Sequence, residues 1–284
     1  MAPKPTIFTL PRGRRRMYFQ LLVAVFVVAV PLLFLYATGY RFERITGLME
    51  TGGIYVGAEL SGAEIYLNDT LVHETGTFRH AFYIPDLDPG KYTISVSKPG
   101  YYSWGKTLEV YAQIVTEAQA FNLPKDPPLE LIPQTFTNQT TNATTTVLLS
   151  NPVYEETKAL FATTTATTTK ESRGMQLSDD GAHIVARWLR TAESAPFYFC
   201  IREGECVDHI PLNTKGEQPS YFDFFPGTTD LVLVTLPDGV YATEFDNRSG
   251  QNIQPLYLAP HADFRVIDGV IYVKTDDRIY KVEL

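Results

Sequence analysis

Any chemistry in this chain would have to rest on five histidines, two cysteines and a few acidic pairs. His73, His80, His183, His209 and His261 are scattered, with no H-E-x-x-H, H-x-H or H-x-x-E spacing to gather zinc ligands on one helix face or strand. The nucleophile motif G-x-S-x-G and the phosphate-cradling GxGxxG are missing; Ser95 to Lys98 spells S-x-x-K and Gly100 to Thr107 spells GxxxxGK[ST], but Lys91 to Lys98 and Lys106 to Tyr111 read as alternating strands, not the helix start that either motif needs. Asp86 with Asp88, Asp179-Asp180 and Asp276-Asp277 offer oxygens to calcium. Calcium needs about six to eight of them, and no D-x-[DN]-x-[DN]-G loop is completed. Each pair falls where a tight turn is expected, and Asp favours turns because it bonds its own backbone. No catalytic residue, metal site or cofactor is therefore expected.

Two other groupings carry chemistry of a different kind. Phe197 to Cys200 and Cys206 to His209 read as strands joined by Arg202-Glu203-Gly204, with Gly204 at the left-handed position of a three-residue loop. That register pairs Ile201 with Glu205 and sets Cys200 opposite Cys206, within reach of a disulfide; two free thiols are the alternative. Tyr101, Tyr102 and Trp104 are either a sugar-stacking patch at a loop tip or rings packed under a sandwich corner. Tyr221 to Phe225 reads as a core strand rather than a ligand platform.

The elements that must position these groups begin with Met17 to Tyr36, a run with no ionisable acid or base that as a helix spans a bilayer core of roughly 30 Å. Arg14, Arg15 and Arg16 abut its amino-terminal side, while the far flank of Arg41, Glu43, Arg44 and Glu50 is balanced. The positive-inside rule then keeps the amino terminus cytoplasmic and everything after Gly39 outside. A cleaved signal sequence and a buried core helix are the competing readings; the run is longer than a signal h-region and LYATGY is a weak cleavage site.

Beyond the run, short strands alternate with Gly, Pro, Asn and Asp punctuation, and no 3.6-residue periodicity is sustained. Lys91 to Lys98 alternates apolar and polar residues, with Pro89-Gly90 and Pro99-Gly100 as type II turns on either side. Asn68-Asp69 reads as a hairpin tip. Lys125 to Pro133 is a proline-rich linker, and threonine-rich stretches follow at Thr135 to Thr146 and Thr163 to Thr169. From Met175 a unit of three or four strands repeats, opening at Gln176, Tyr221 and Phe264, the period of a propeller blade. The last unit is short of a strand, which Leu129 to Ile132 would supply. One further blade in the threonine-rich region, with Thr146 to Ser150 and Ala159 to Thr163 as strands, would make about four. An open stack of blades and a second sandwich are the alternatives. The loop ends at Asp179, Asp180, Asp238 and Asp268 would share one rim if the repeats are real.

Gly62-Ala63-Glu64-Ile65-Tyr66-Leu67-Asn68, then Leu87-Asp88-Pro89-Gly90-Lys91-Tyr92, then Val96-Ser97-Lys98-Pro99-Gly100-Tyr101 resemble the PEGA domain, a small extracytoplasmic β-sandwich. The resemblance covers about residues 53 to 123. The naming tetrapeptide survives only as Leu60-Ser61-Gly62-Ala63, and the usual Thr-Pro after the first hairpin stands as Thr75-Gly76. The resemblance implies no catalytic residues. The Ser-Asp-Asp-Gly turn ending at Gly181 resembles the blade openings of WD40-like and TolB-like propellers.

The expected fold is thus all-β outside one transmembrane helix. Its parts are a basic amino terminus (1–16), the anchor (17–36), a juxtamembrane linker (37–52), the PEGA-like sandwich (53–123), the proline-rich linker (124–134) and propeller-like repeats (135–284). Two cysteines exclude a disulfide-stapled scaffold. The net charge is −8, with +5 on the first seventeen residues, which leaves −13 on the rest. A portion that acidic is a poor partner for nucleic acid. The expectation is a single-pass cell-membrane protein that binds or scaffolds cell-wall or surface polymers or envelope proteins and is not an enzyme. A carbohydrate-active or protein-processing enzyme built on propeller loops is the alternative. An envelope sensor is disfavoured, because sixteen residues before the anchor are too few for a cytoplasmic effector domain.

Overall fold

The structure, a computed structural model, describes residues 11–43, 47–138, 147–162, 169–181, 183–191, 194–202 and 205–284. The chain is mostly β and falls into two compact units, one of residues 1–55, 83–90 and 109–116, the other of residues 56–82, 91–108 and 117–284.

The first unit opens with helix α1 (Arg12–Ala37), 26 residues with no buried side chain and long and apolar enough to cross a membrane. It begins five residues before the apolar run, because arginine is a good helix former and the basic cluster continues the same winding. The Thr38 N–H donates to Phe34 O at the helix end, and Gly39, at φ 85°, turns the chain out. The segment expected as a linker is instead a hairpin of β1 (Tyr40–Glu43) and β2 (Gly47–Glu50), in which Tyr40 faces Glu50 and donates to it.

Seven strands follow: β3 (Gly52–Ala58), β4 (Glu64–Leu67), β5 (Thr70–Glu74), β6 (Ala81–Leu87), β7 (Gly90–Ser97), β8 (Trp104–Val110) and β9 (Val115–Ala120). They form one sheet in the order β6-β3-β9 and another in the order β5-β4-β7-β8. Burial alternates strictly along β8, where Trp104, Lys106, Leu108 and Val110 face inward. Asn68 and Asp69 take φ of 46° and 63°, the left-handed pair that a two-residue hairpin turn demands. Gly100 has the positive φ expected of it, at 84°. Gly90 does not: it opens β7, and the left-handed residue nearby is Asp86, at φ 60° near the end of β6. Thr75, whose side chain is buried, accepts from the Ala63 N–H at 2.8 Å and donates to Leu60 O at 2.6 Å, so it fastens the half-kept tetrapeptide to the first hairpin.

The remaining elements belong to the second unit. They are β10 (Leu129–Ile132), β11 (Thr135–Asn138), β12 (Val147–Ser150), α2 (Pro152–Ala162), β13 (Thr169–Ser172), β14 (Met175–Asp179), β15 (Ile184–Trp188), β16 (Cys200–Arg202), β17 (Glu205–Cys206), β18 (Ile210–Pro211), β19 (Tyr221–Phe224), β20 (Leu231–Leu236), β21 (Gly239–Glu244), β22 (Ile253–Leu258), β23 (Asp263–Ile267), β24 (Val270–Thr275) and β25 (Arg278–Val282). Three four-stranded antiparallel sheets result, β13-β14-β15-β18, β19-β20-β21-β22 and β10-β25-β24-β23. The third takes its outer strand from Leu129–Ile132, with Leu129 opposite Val282. Their first strands lie side by side, β13 along β19 and β19 along β23. The first two sheets share a core that includes Leu177, Ile184 and Ile210 from one and Val232, Val234 and Leu236 from the other.

Among the described residues after Pro124 there is no fourth such sheet. The segment assigned to it holds the β11-β12 hairpin and α2, so the expected strand from Ala159 is helical. Asn151 accepts from the Val153 N–H at 3.1 Å as an N-cap, and Pro152 fits the first helical position because its missing N–H is not needed there. Tyr154, Thr157 and Phe161 then fall on one buried face at helical spacing. Most of the two threonine-rich stretches lies outside the described residues.

Candidate binding cleft and the buried ion network

Where β13, β19 and β23 meet, their side chains form a continuous polar chain. Lys170 of β13 donates to Asp223 Oδ2 at 2.9 Å and to the Tyr221 hydroxyl at 3.0 Å, both on β19. The Arg265 guanidinium of β23 lies 4.0 Å from the centre of the Tyr221 ring and 5.0 Å from that of Phe161, donates to Asp263 at 2.8 Å and reaches Leu160 O of α2 at 3.2 Å. Burial works against the charge of Lys170, but Asp223 and Tyr221 outweigh it and raise its pKa, so the ammonium is held charged. Burial also raises the Tyr221 pKa, against the pull of Lys170, which leaves a neutral phenol.

At one end of these strands a cleft of about 340 Å³ opens. It is lined by Glu171 and Arg173 at the end of β13, Phe224 at the end of β19 and Gly227 beyond it, and Asp268-Gly269 beyond β23. Three first-to-second-strand turns converge there. Arg173-Gly174 and Asp268-Gly269 both have two consecutive positive φ values, 49° and 89° in one, 50° and 77° in the other. The cleft offers charges of both signs beside an aromatic ring.

Only part of the expected rim is gathered by the fold. Asp179, Asp180 and Asp238 lie in second-to-third-strand turns, and one connection ties two of them, with Gln218 donating to Asp179 at 2.9 Å and Lys215 to Asp238 at 2.7 Å. Asp268 lies in a first-to-second-strand turn, which antiparallel topology puts at the other end of its sheet, in the cleft. The position matching Asp238 in the third sheet is Asp276-Asp277. The rim acids are engaged in their own turns: Asp179 accepts from the Gly181 N–H at 2.8 Å and Asp180 from the His183 N–H at 2.7 Å. Lys215, with help from the Tyr241 hydroxyl, lowers the Asp238 pKa.

Trp104 does not belong to a stacking patch. It is 1% exposed, and its indole N–H donates to Glu244 Oε2 at 2.9 Å. Strand alternation aims it inward with Lys106, and a sugar cannot reach it. Tyr101 and Tyr102 are half-buried, and the Lys98 ammonium lies 4.9 Å from the Tyr101 ring centre.

The groups that sequence reasoning missed lie beside Trp104. Lys106, 3% exposed, pairs with Glu244 at 2.8 Å and donates to the carbonyls of Asp246 at 2.7 Å and Gly250 at 2.9 Å. Asp246 is shared with Arg248 at 2.7 Å, so buried Lys106, Glu244 and Asp246 are joined by a half-buried arginine into a set of two acids and two bases. Gln254 accepts from the Leu123 N–H at 2.8 Å and donates to Phe121 O at 3.0 Å. Burial raises the Glu244 pKa in spite of Lys106. The only local clue was a lysine on the apolar face of an alternating strand.

Cys200 and Cys206 are joined in a disulfide, and Cys200 faces Cys206 across β16 and β17. Beyond that pair the register shifts and sets Arg202, rather than Ile201, opposite Glu205. Gly204 lies outside the described residues. Among those residues no group of three or more His, Cys, Asp or Glu side chains is placed to hold a metal ion.

Residues 51–124, which run from β3 through β9, match the PEGA domain family. No curated protein matches the chain.

Proposed function

We propose that this chain is a single-pass envelope protein whose PEGA domain carries an extracytoplasmic, propeller-like array that binds a cell-wall or surface polymer or an envelope protein without turning it over. The observation that carries the reading is a match to the PEGA domain family one short hairpin after an apolar helix of 26 residues with a basic leading end. The arginine cluster sets the amino terminus in the cytoplasm and the rest outside. The Cys200–Cys206 disulfide supports the same side, since such bonds persist in oxidising compartments.

The binding place is the cleft at Arg173, Phe224 and Asp268, where three turns bring charges and an aromatic ring together. Loops carried on a rigid set of sheets are the usual site of recognition. The test uses the purified full chain in detergent with cell-wall fractions, comparing the parent with Asp268→Asn. Asparagine tolerates the left-handed backbone at this position, so only the charge is removed. Weaker retention of the variant is expected, with no release of glycan or peptide fragments. Equal retention would remove the cleft from consideration, and fragment release would replace binding by catalysis.

A further inference from the structure

We propose that an edge of the first unit, formed by Tyr83, Ile114 and Val115, lies in the headgroup layer of the bilayer that α1 enters. This rests on the anchor reading above. The three residues are 46%, 42% and 47% exposed, and they line a cleft of about 360 Å³ whose other wall includes Tyr36 to Gly39 and Arg41. The exposed apolar edge is therefore continuous with the end of the apolar helix.

Hydrogen bonds fix that continuity. Gly39 O accepts from the Thr51 N–H at 2.9 Å and the Thr51 hydroxyl at 2.8 Å, Thr51 O accepts from the Gln113 N–H at 2.9 Å, and Ile114 O accepts from the Gly53 N–H at 3.2 Å. The approach is close enough to need glycine. A Cβ on Gly52 would stand 2.2 Å from Tyr111 O, and one on Gly53 would stand 2.6 Å from the Tyr83 ring. The 111–114 connection thus sits against the helix end with little freedom to swing away.

Depth follows from the helix rise. At about 1.5 Å per residue, Gly39 lies roughly 5 Å beyond Tyr36, the last residue of the apolar run. The interfacial layer of each leaflet is about 5 to 8 Å thick, so groups level with Gly39 fall inside it. That layer favours amphipathic rings such as Tyr83, and long basic side chains whose heads reach the phosphates. Arg41 has the matching arrangement, with its guanidinium 3.9 Å from the Tyr36 ring centre and paired with Asp86, which neutralises the one acid of the cleft lining. A protein partner would have no reason to be level with the end of the apolar helix; the bilayer does.

The disulfide makes the test simple, because with both native cysteines bonded an introduced cysteine is the sole thiol. Full-length Ile114→Cys and Val115→Cys would be labelled with an environment-sensitive fluorophore and reconstituted into phosphatidylcholine–phosphatidylglycerol vesicles containing nitroxide lipid. Leu33→Cys within α1 and Leu258→Cys on β22, at 64% and 58% exposure, serve as references. At Ile114 and Val115, most of the fluorescence should be lost to a nitroxide on the headgroup and less to one deep in the acyl chain. Leu33 should show the reverse, and Leu258 neither. If Ile114 and Val115 behave like Leu258 while Leu33 is quenched, the anchor stands and this inference falls. If Leu33 also escapes quenching, both fall.

Discussion

Replacing Lys106 by Met removes the positive partner of Glu244 while keeping most of the side-chain volume. Glu244 and Asp246 are 2% and 5% exposed, so neither can turn to water when the ammonium is gone. The carbonyls of Asp246 and Gly250 lose their donor as well. Breaking one side of a buried ion pair costs about 3 to 5 kcal/mol, chiefly because the surviving charge stays desolvated. For a protein of this size each kcal/mol lowers the midpoint by about 2 to 4 °C, which places the fall at roughly 6 to 20 °C in scanning calorimetry of the full chain in detergent. Two further signatures separate an orphaned charge from a packing defect. Adding Glu244→Gln should recover part of the loss, because it removes the orphaned charge and its one amide oxygen can still accept at the Oε1 position from the Asn252 N–H groups, at the cost of the Trp104 bond to Oε2. The single variant should also regain stability as the pH falls below neutral. Glu244 already has a raised pKa, and losing Lys106 raises it further, so acid favours the folded form. A loss under about 1 kcal/mol, or a double variant that costs the full sum of its singles, would refute the network as described.

Burial, with Glu59 adding to it, raises the Asp230 pKa to about 6 from an ordinary 3.8, so the folded state binds this proton more tightly than the unfolded one. Stability should therefore rise as the pH falls from 7 towards 4, by up to about 3 kcal/mol from this group, and Asp230→Asn should flatten that slope in chemical denaturation curves. Reducing the Cys200–Cys206 bridge opens a loop of six residues' separation, and calorimetry should show a loss of about 2 kcal/mol. Gly239→Ala and Gly227→Ala make an informative pair in the same assay. A Cβ on Gly239 would meet Tyr257 O at 2.4 Å, whereas one on Gly227, at φ 82°, would meet nothing within 4 Å. The first should cost several kcal/mol and the second only the roughly 1 to 2 kcal/mol of a left-handed backbone; equal costs would contradict the packing at Gly239.

What the sequence determined by itself was everything governed by neighbours along the chain. The apolar run gave α1, alternation gave β7 and β8, and the Asn68-Asp69 turn gave the β4-β5 hairpin, because local sterics and one-sided burial act over a few residues. Counting strands even placed Leu129–Ile132 on the last sheet, since a four-strand repeat leaves a definite vacancy. The α2 signals, Asn151-Pro152 and the spacing of Tyr154, Thr157 and Phe161, were present but hidden by β-prone threonines on either side. Only the tertiary structure decided the rest. Trp104 meets Glu244 across 140 positions, so nothing near either residue announces that a strand lysine and an indole will share a buried carboxylate. The rim acids parted in the same way: Asp238 and Asp268 sit in similar Asp-Gly turns, but one follows a second strand and the other a first. A turn motif encodes the local bend, whereas the end of the sheet it occupies depends on how many strands precede it.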